Sequence, residues 1–169
     1  MNKKLCIIDF VGTLFDGTNI VPDAYKFCST VKSNGYEIVV YSNSTLISKQ
    51  TISSYLHKAN IDCISDNHIY TLSSIASTQF KKDKVQNLYC ICSDLFKEEL
   101  KKEGFNVYRS EDHKQETIVE VPLLNDIDAV VVGTDDKFNY FKAALGTRYV
   151  IEKKVKFYYE IDLTISFNF

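Results

Sequence analysis

With 169 residues, 45% of them hydrophobic and 13% aromatic, the chain can bury one ordinary core or a domain and part of a second, which excludes a disordered segment. The 20 Lys and Arg stand against 22 Asp and Glu for a formal net charge of -2, and the basic residues are scattered, so no basic stripe tracks a nucleic-acid backbone. The apolar run after Met-Asn-Lys-Lys lasts only from Leu5 to Ile8, too short for a secretory signal or a membrane span, and the 5 cysteines lie mostly in apolar segments, as buried free thiols of a reducing, cytoplasmic setting.

Lys4-Leu5-Cys6-Ile7-Ile8-Asp9 reads as a buried strand that delivers an acid to a sheet edge, with Gly12-Thr13 turning just beyond it. A carboxylate at a strand end, beside a turn of backbone N–H groups, can attack phosphorus in line and form an aspartyl-phosphate. Asp9 is therefore the candidate nucleophile. Phe15 to Val21 carries Asp16-Gly17 and reads as a hairpin-like flap. Pro22 opens a helix with Ala24, Phe27, Cys28 and Val31 on its apolar face, closed by Asn34-Gly35. Glu37 to Tyr41 is a second buried strand, and strand, helix, strand with short joints is the unit of a parallel sheet. At its open end stand Ser42-Asn43-Ser44, suited to holding phosphate oxygens, with a helix N-cap cluster as the alternative reading.

A helix over about Ser48–Ala59 follows, with Ile52, Tyr55, Leu56 and Ala59 on its stripe. Ile61 to Asp66 returns toward the sheet, and a helix over about Tyr70–Phe80 leads to the charged joint Lys81-Lys82-Asp83-Lys84, read as a domain boundary or as a solvated helix end. Asn87–Cys92 is then a strand, Ser93 caps a helix through Glu103, Gly104 ends it, and Phe105–Tyr108 is extended. Arg109–Glu116 reads as loop, Asp128–Val132 as a strand, Gly133-Thr134-Asp135-Asp136 as a turn, and Asn139–Leu145 as a short helix. Cys90-x-Cys92 lacks metal spacing and would point to one strand face, while Glu160-x-Asp162 pairs two carboxylates without a Gly-Asp turn before them.

Three stretches together resemble the haloacid dehalogenase (HAD) superfamily, in its 4-nitrophenylphosphatase and phosphoglycolate phosphatase (NagD-like) branch. They are Asp9-Phe10-Val11-Gly12-Thr13-Leu14 against D-x-D-G-[TV]-L, Tyr41-Ser42-Asn43-Ser44 against the second motif, and Ala129 to Lys142 against V-V-V-G-x-D-x-x-F-x-Y-x-K. The resemblance implies an α/β fold: residues 1–80 as the first half of a Rossmann-like core with a parallel sheet and flanking helices, and residues 81–169 as part of an α/β cap. It implies hydrolysis of a small phosphorylated metabolite, with Asp9 as nucleophile, Gly12, Thr13, Ser42 and Asn43 on the phosphate, and Mg²⁺ held by Asp9 and the Val11 carbonyl.

Val11 stands where the family has its second Asp, keeping the carbonyl and losing the proton shuttle. The family's phosphate-steadying Lys and its Gly-Asp-x-x-x-Asp metal segment have no match; Lys153, Lys154 and Lys156 lie in a different context. General acid-base help is worth about 10²- to 10⁴-fold, so two readings stand: a slow phosphatase, or a catalytically silent relative that binds another chain. Gly133-Thr134-Asp135-Asp136 serving as the metal motif of a capless core is a third arrangement. A half core also leaves a sheet edge uncovered, which invites pairing with another chain, a second copy included; neither nucleic acid nor membrane is expected as a partner.

Overall fold

The computed structural model describes residues 4–113 and 121–160. The chain divides into two compact units, Met1–Thr71 and Leu72–Phe169. Both are α/β and built on parallel sheets.

The first unit runs β1 (Lys4–Asp9), α1 (Ala24–Ser33), β2 (Tyr36–Ser42), α2 (Lys49–Lys58) and β3 (Ile69–Thr71). The sheet order is β1-β2-β3, with Cys6 opposite Ile38, Ile8 opposite Val40, and Val40 opposite Ile69. Side chains alternate across a strand, so these positions share one face. On that face Ile8, Ile38, Val40 and Ile69 pack with Ala24 and Cys28 of α1 and with Ile52 and Leu56 of α2. Both helices thus cover the same side of the sheet.

Local chemistry sets the helix ends. Ser48 caps α2 by accepting the Thr51 N–H at 3.1 Å. Helix α1 starts later than Pro22 suggests: Asp23, at φ 63°, is its N-cap, and Pro22 lies outside the helix. Phe27 is 48% exposed, because the buried stripe runs through Ala24 and Cys28 with Val31 partly buried, and Phe27 falls beside it. The segment expected as the start of a helix, Tyr70-Thr71, belongs to β3, and α3 begins at Leu72 with no turn residue between them.

The second unit runs α3 (Leu72–Lys82), β4 (Asn87–Ile91), α4 (Asp94–Lys102), β5 (Asn106–Tyr108), β6 (Ala129–Val132), α5 (Tyr140–Glu152) and β7 (Lys156–Tyr159), with sheet order β5-β4-β6-β7. Leu88, Cys90, Cys92, Ala129 and Val131 pack beneath α3 and α4 with Phe80, Phe96 and Leu100. The alternate residues Tyr89, Ile91 and Val130 pack beneath α5 with Leu145 and Tyr149. This sheet is covered on both faces, as a parallel sheet ordinarily must be. Gly146 lets α5 lie close: a Cβ there would stand 3.1 Å from Ile91 Cδ1.

The division between units falls one helix before the charged joint Lys81–Lys84. The reason is packing, since Leu72, Ala76 and Phe80 of α3 are buried in the second unit's core. Helix α5 runs to Glu152, well past Leu145, because Tyr149 is fully buried and extends the apolar stripe another turn. Of the 5 cysteines, Cys28, Cys90 and Cys92 are buried, Cys6 and Cys63 are half-buried, and all are free thiols.

Candidate active site

Asp9 is the last residue of β1, opposite Tyr41 on β2, and the Phe10 N–H donates to the Tyr41 carbonyl at 2.7 Å. The next residue of β2 is Ser42, itself opposite Thr71 at the end of β3. Three neighbouring strands therefore bring Asp9, Ser42 and Thr71 to one carboxyl-terminal sheet edge, where open α/β sheets place their ligands. Thr71 was not legible in the sequence, because its strand has three residues and merges with a helix.

The Asp9 side chain reaches solvent, yet desolvation by its surroundings raises its pKa above the ordinary carboxylate value, with the Phe10 N–H pulling the other way. Behind it the chain folds tightly. The Leu14 and Phe15 N–H groups donate to the Phe10 carbonyl at 3.0 and 2.9 Å, and the Gly12 N–H donates to the Phe15 carbonyl at 2.7 Å. Gly12 takes φ 88°, a left-handed conformation that suits glycine. Its amide is thus spent within the loop, while Thr13 is exposed. The flap is present: Phe15 bridges Ile20 antiparallel, and Asp16 Oδ1 accepts the Thr18 and Asn19 N–H groups at 2.8 Å each.

Ser42 is fully buried, and its Oγ accepts the Ser44 N–H at 3.3 Å; Asn43 is exposed at the rim. These residues do not cap α2, whose cap is Ser48 six positions on. The turn at the end of β2 is free of that structural duty.

Val11, 37% exposed, occupies the second acidic position of the motif and forms a bridge with Phe15. An apolar side chain there can neither give nor take a proton. The same substitution bears on Mg²⁺, which needs near-octahedral oxygen donors and usually keeps several of its waters. From this chain the motif offers one carboxylate, Asp9, and one carbonyl, Val11. Among the described residues no group of three His, Cys, Asp or Glu could hold a metal ion. The described residues alone do not complete a Mg²⁺ site.

The other acidic positions are engaged elsewhere. Asp135 ends the turn after β6, in the other unit's sheet, and accepts from Lys142 Nζ at 2.8 Å and from the Lys137 N–H at 2.9 Å. Desolvation pushes this carboxyl up, but the Lys142 hydrogen bond, the Lys137 N–H and the Lys142 charge outweigh it and hold the pKa below the usual range. That placement rules out Asp135 as the metal motif of a capless core containing β1. The Asp and Lys of the third motif are partners in a buried ion pair, and its Asn139 caps α5 by accepting the Lys142 N–H at 3.0 Å. Glu160 Oε2 accepts the Thr134 N–H at 2.9 Å and the Thr134 hydroxyl at 3.0 Å; Asp162 lies outside the described residues.

Comparisons with known proteins bear on the family and the fold. The chain is 26% identical over 156 residues to phosphoglycolate phosphatase 2 of Arabidopsis thaliana, covering 86% of this chain and 51% of that protein. Among solved structures, the p-nitrophenyl phosphatase of Archaeoglobus fulgidus superposes with a TM-score of 0.73 at 15% identity, covering 94% of this chain and 54% of the other. NagD of E. coli K-12 superposes at 0.64 with 22% identity, covering 88% and 52%. The chain thus spans about half the length of the relatives it matches, and the structural likeness shows the Rossmann-like fold. A family profile for haloacid dehalogenase-like hydrolases matches residues 6–106, from the first strand through both sheet-end motifs and into the second unit, and the chain belongs to that family.

Proposed function

We propose that this chain carries the nucleophile side of a phosphomonoester hydrolase site and that, as these 169 residues stand, it is a weak catalyst. The observation that carries the reading is Asp9 at the open end of β1, beside Ser42, with Val11 in place of the acid. An Asp9 carboxylate oxygen attacks phosphorus, the bond to the ester oxygen breaks, and an aspartyl-phosphate forms; water then releases inorganic phosphate and restores the carboxylate. Ser42 and Asn43 at the end of β2, with Thr13 on the loop, orient phosphate oxygens. With Val11 the leaving oxygen departs as an anion or takes its proton from solvent. Substrates are small phosphorylated metabolites, and esters with acidic leaving groups lose least. The second unit takes the part of the family's α/β cap segment, and the free thiols suit the cytoplasm.

The test compares the wild-type chain, Asp9→Asn and Val11→Asp on an aryl and an alkyl phosphate with Mg²⁺ supplied. Wild type turns over the aryl ester slowly, and Asp9→Asn falls to background. Val11→Asp raises alkyl-ester turnover by at least about tenfold, since a positioned general acid is worth about 10²- to 10⁴-fold. Equal rates for wild type and Asp9→Asn, in the presence of either residue at position 11, would refute the nucleophile assignment.

A further inference from the structure

The second sheet is covered unequally. Helices α3 and α4 pack on one face, and α5 packs on the other over β4 and β6. Packed helices are about 8–10 Å across and strands lie about 4.7–4.9 Å apart, so one helix spans roughly two strands. The neighbouring strand β7 is left over. Its Phe157 stands opposite Val130, continues the face beneath α5 and is 50% exposed. Between the helix and that strand lies a cavity of about 430 Å³. Gly146 holds α5 close to Ile91 and Val130 at its floor, Ala143 and Thr147 line it from the helix, and Phe138 and Ile151, 59% and 68% exposed, stand at its margin.

Size and charge say what fits. An apolar cavity of roughly 150 Å³ suffices for benzene, and small-molecule sites run from about 300 to 1,000 Å³. This one therefore has room for about two or three fused rings. None of its described lining residues is charged, and the Thr147 hydroxyl is their one polar side-chain group, so a charged ligand would lose hydration there without gaining a partner. A protein partner fits less well. A fully buried aromatic side chain covers roughly 150–250 Å², so the exposed parts of Phe138, Ile151, Phe157 and Tyr159, the last stacked on Phe157, offer about 400 Å² together, half of the ~800 Å² per partner in a stable interface. Lys137, Arg148 and Glu152, each next in sequence to a lining residue, break the margin of the patch with charge.

We propose that the cavity between α5 and β7 binds a small, uncharged, fused-ring molecule. Its rings contact Phe138 and Phe157, and the Thr147 hydroxyl orients a polar substituent. The proposal stands apart from the reading of Asp9, because every described lining residue belongs to the second unit and binding alone reads it out.

The probe is 2-naphthol, neutral at pH 7, titrated into the full 169-residue chain and followed by amide and methyl NMR. The expected result is a saturable shift of the Val132, Ala143, Thr147, Ile151 and Phe157 signals, with a Kd at or below about 1 mM. Naphthalene-2-sulfonate, the same ring with a fixed charge, binds at least about tenfold more weakly. Ala143→Phe fills the cavity from the helix and weakens 2-naphthol at least about tenfold, whereas Phe27→Ser, which removes an exposed aromatic from α1, leaves the Kd unchanged. Circular dichroism checks that each variant folds; Thr147→Phe replaces Ala143→Phe if that one does not, and the two probes on the wild-type chain decide if neither does. The absence of a saturable shift on this face up to the solubility of 2-naphthol overturns the proposal. So does equal affinity for the sulfonate, or a folded cavity-filled variant that binds as the wild type does. A chain that sediments at twice its mass, with these same signals moving on dilution, shows a second copy on the face and also overturns it.

Discussion

The ion pair between Asp135 and Lys142 offers the most quantitative test of how the second unit is held together. Their side chains are 3% and 7% exposed and meet at 2.8 Å. Lys142→Met keeps most of the stem and removes the charge, leaving the Asp135 carboxylate buried and accepting from the Lys137 N–H. Breaking a buried pair by removing one partner costs about 3–5 kcal/mol. Protonation limits the loss, because holding a proton at pH 7 against an ordinary pKa near 3.9 costs about 4 kcal/mol at about 1.4 kcal/mol per unit. The expected destabilisation at pH 7 is therefore about 3–4 kcal/mol. At pH 5 the same escape costs only about 1.5 kcal/mol, so the penalty should shrink with acidity.

The assay is urea unfolding followed by circular dichroism at both pH values, with Asp135→Leu/Lys142→Met alongside. Because both charges leave together, the double variant should recover most of the loss. In the wild type the sign is that of a depressed carboxyl: the stabilisation is present above the unfolded-state pKa and is lost as pH falls through the lower folded value. A single-variant loss below about 1 kcal/mol at pH 7 would refute the reasoning, since the median exposed pair is worth only about that much. So would an equal loss at pH 7 and pH 5, or a double variant no more stable than the single one.

Two further outcomes follow from the first unit and the thiols. The Asp9 pKa is raised, first by desolvation, so its contribution to stability is fully present below the unfolded value and is lost as pH rises through the folded one. Asp9→Asn should therefore melt at or above the wild-type temperature at pH 7 while losing turnover; a clearly lower melting temperature would give Asp9 a structural role instead. Burial pushes the Cys28 thiol up to about 11, and Cys90 lies well above its ordinary value, first through its hydrogen bond with Cys92. A disulfide-exchange reagent at pH 8 should label at most Cys6 and Cys63 quickly and all 5 thiols in denaturant; rapid native labelling of Cys28 would contradict the packing beneath α1.

Long periodic segments were legible in the sequence. The strands ending at Asp9 and near Ser42, the helix capped by Ser48 and the strand before Gly133 all emerge close to where their patterns placed them. What escaped was decided by tertiary packing. Strand β3 has three residues and runs directly into α3, so neither a two-residue nor a 3.6-residue period had room to show itself. The charged run Lys81–Lys84 reads as a boundary, but charge marks solvent exposure, and the helix before it buries its apolar face in the second unit. At the site, the identity of Asp9 and its position at a strand end could be read from one short stretch. The spent Gly12 amide and the duty-free turn at Ser42 could not, because both depend on which backbone partner lies nearest.

The two units use charge in opposite ways, and that contrast bears on function. In the second unit Asp135 is committed to Lys142 and Lys137, and Glu160 to Thr134, so the acids at the ends of β6 and β7 hold turns together. In the first unit desolvation raises the Asp9 pKa against one opposing backbone N–H, and among the described residues no cation offsets it. A group retained for stability would be expected to have such a partner, since desolvating a carboxylate without one is a cost. Under the proposed function the cost goes with reactivity, because an unneutralised carboxylate is the more nucleophilic, though also the more repelled by a phosphate dianion.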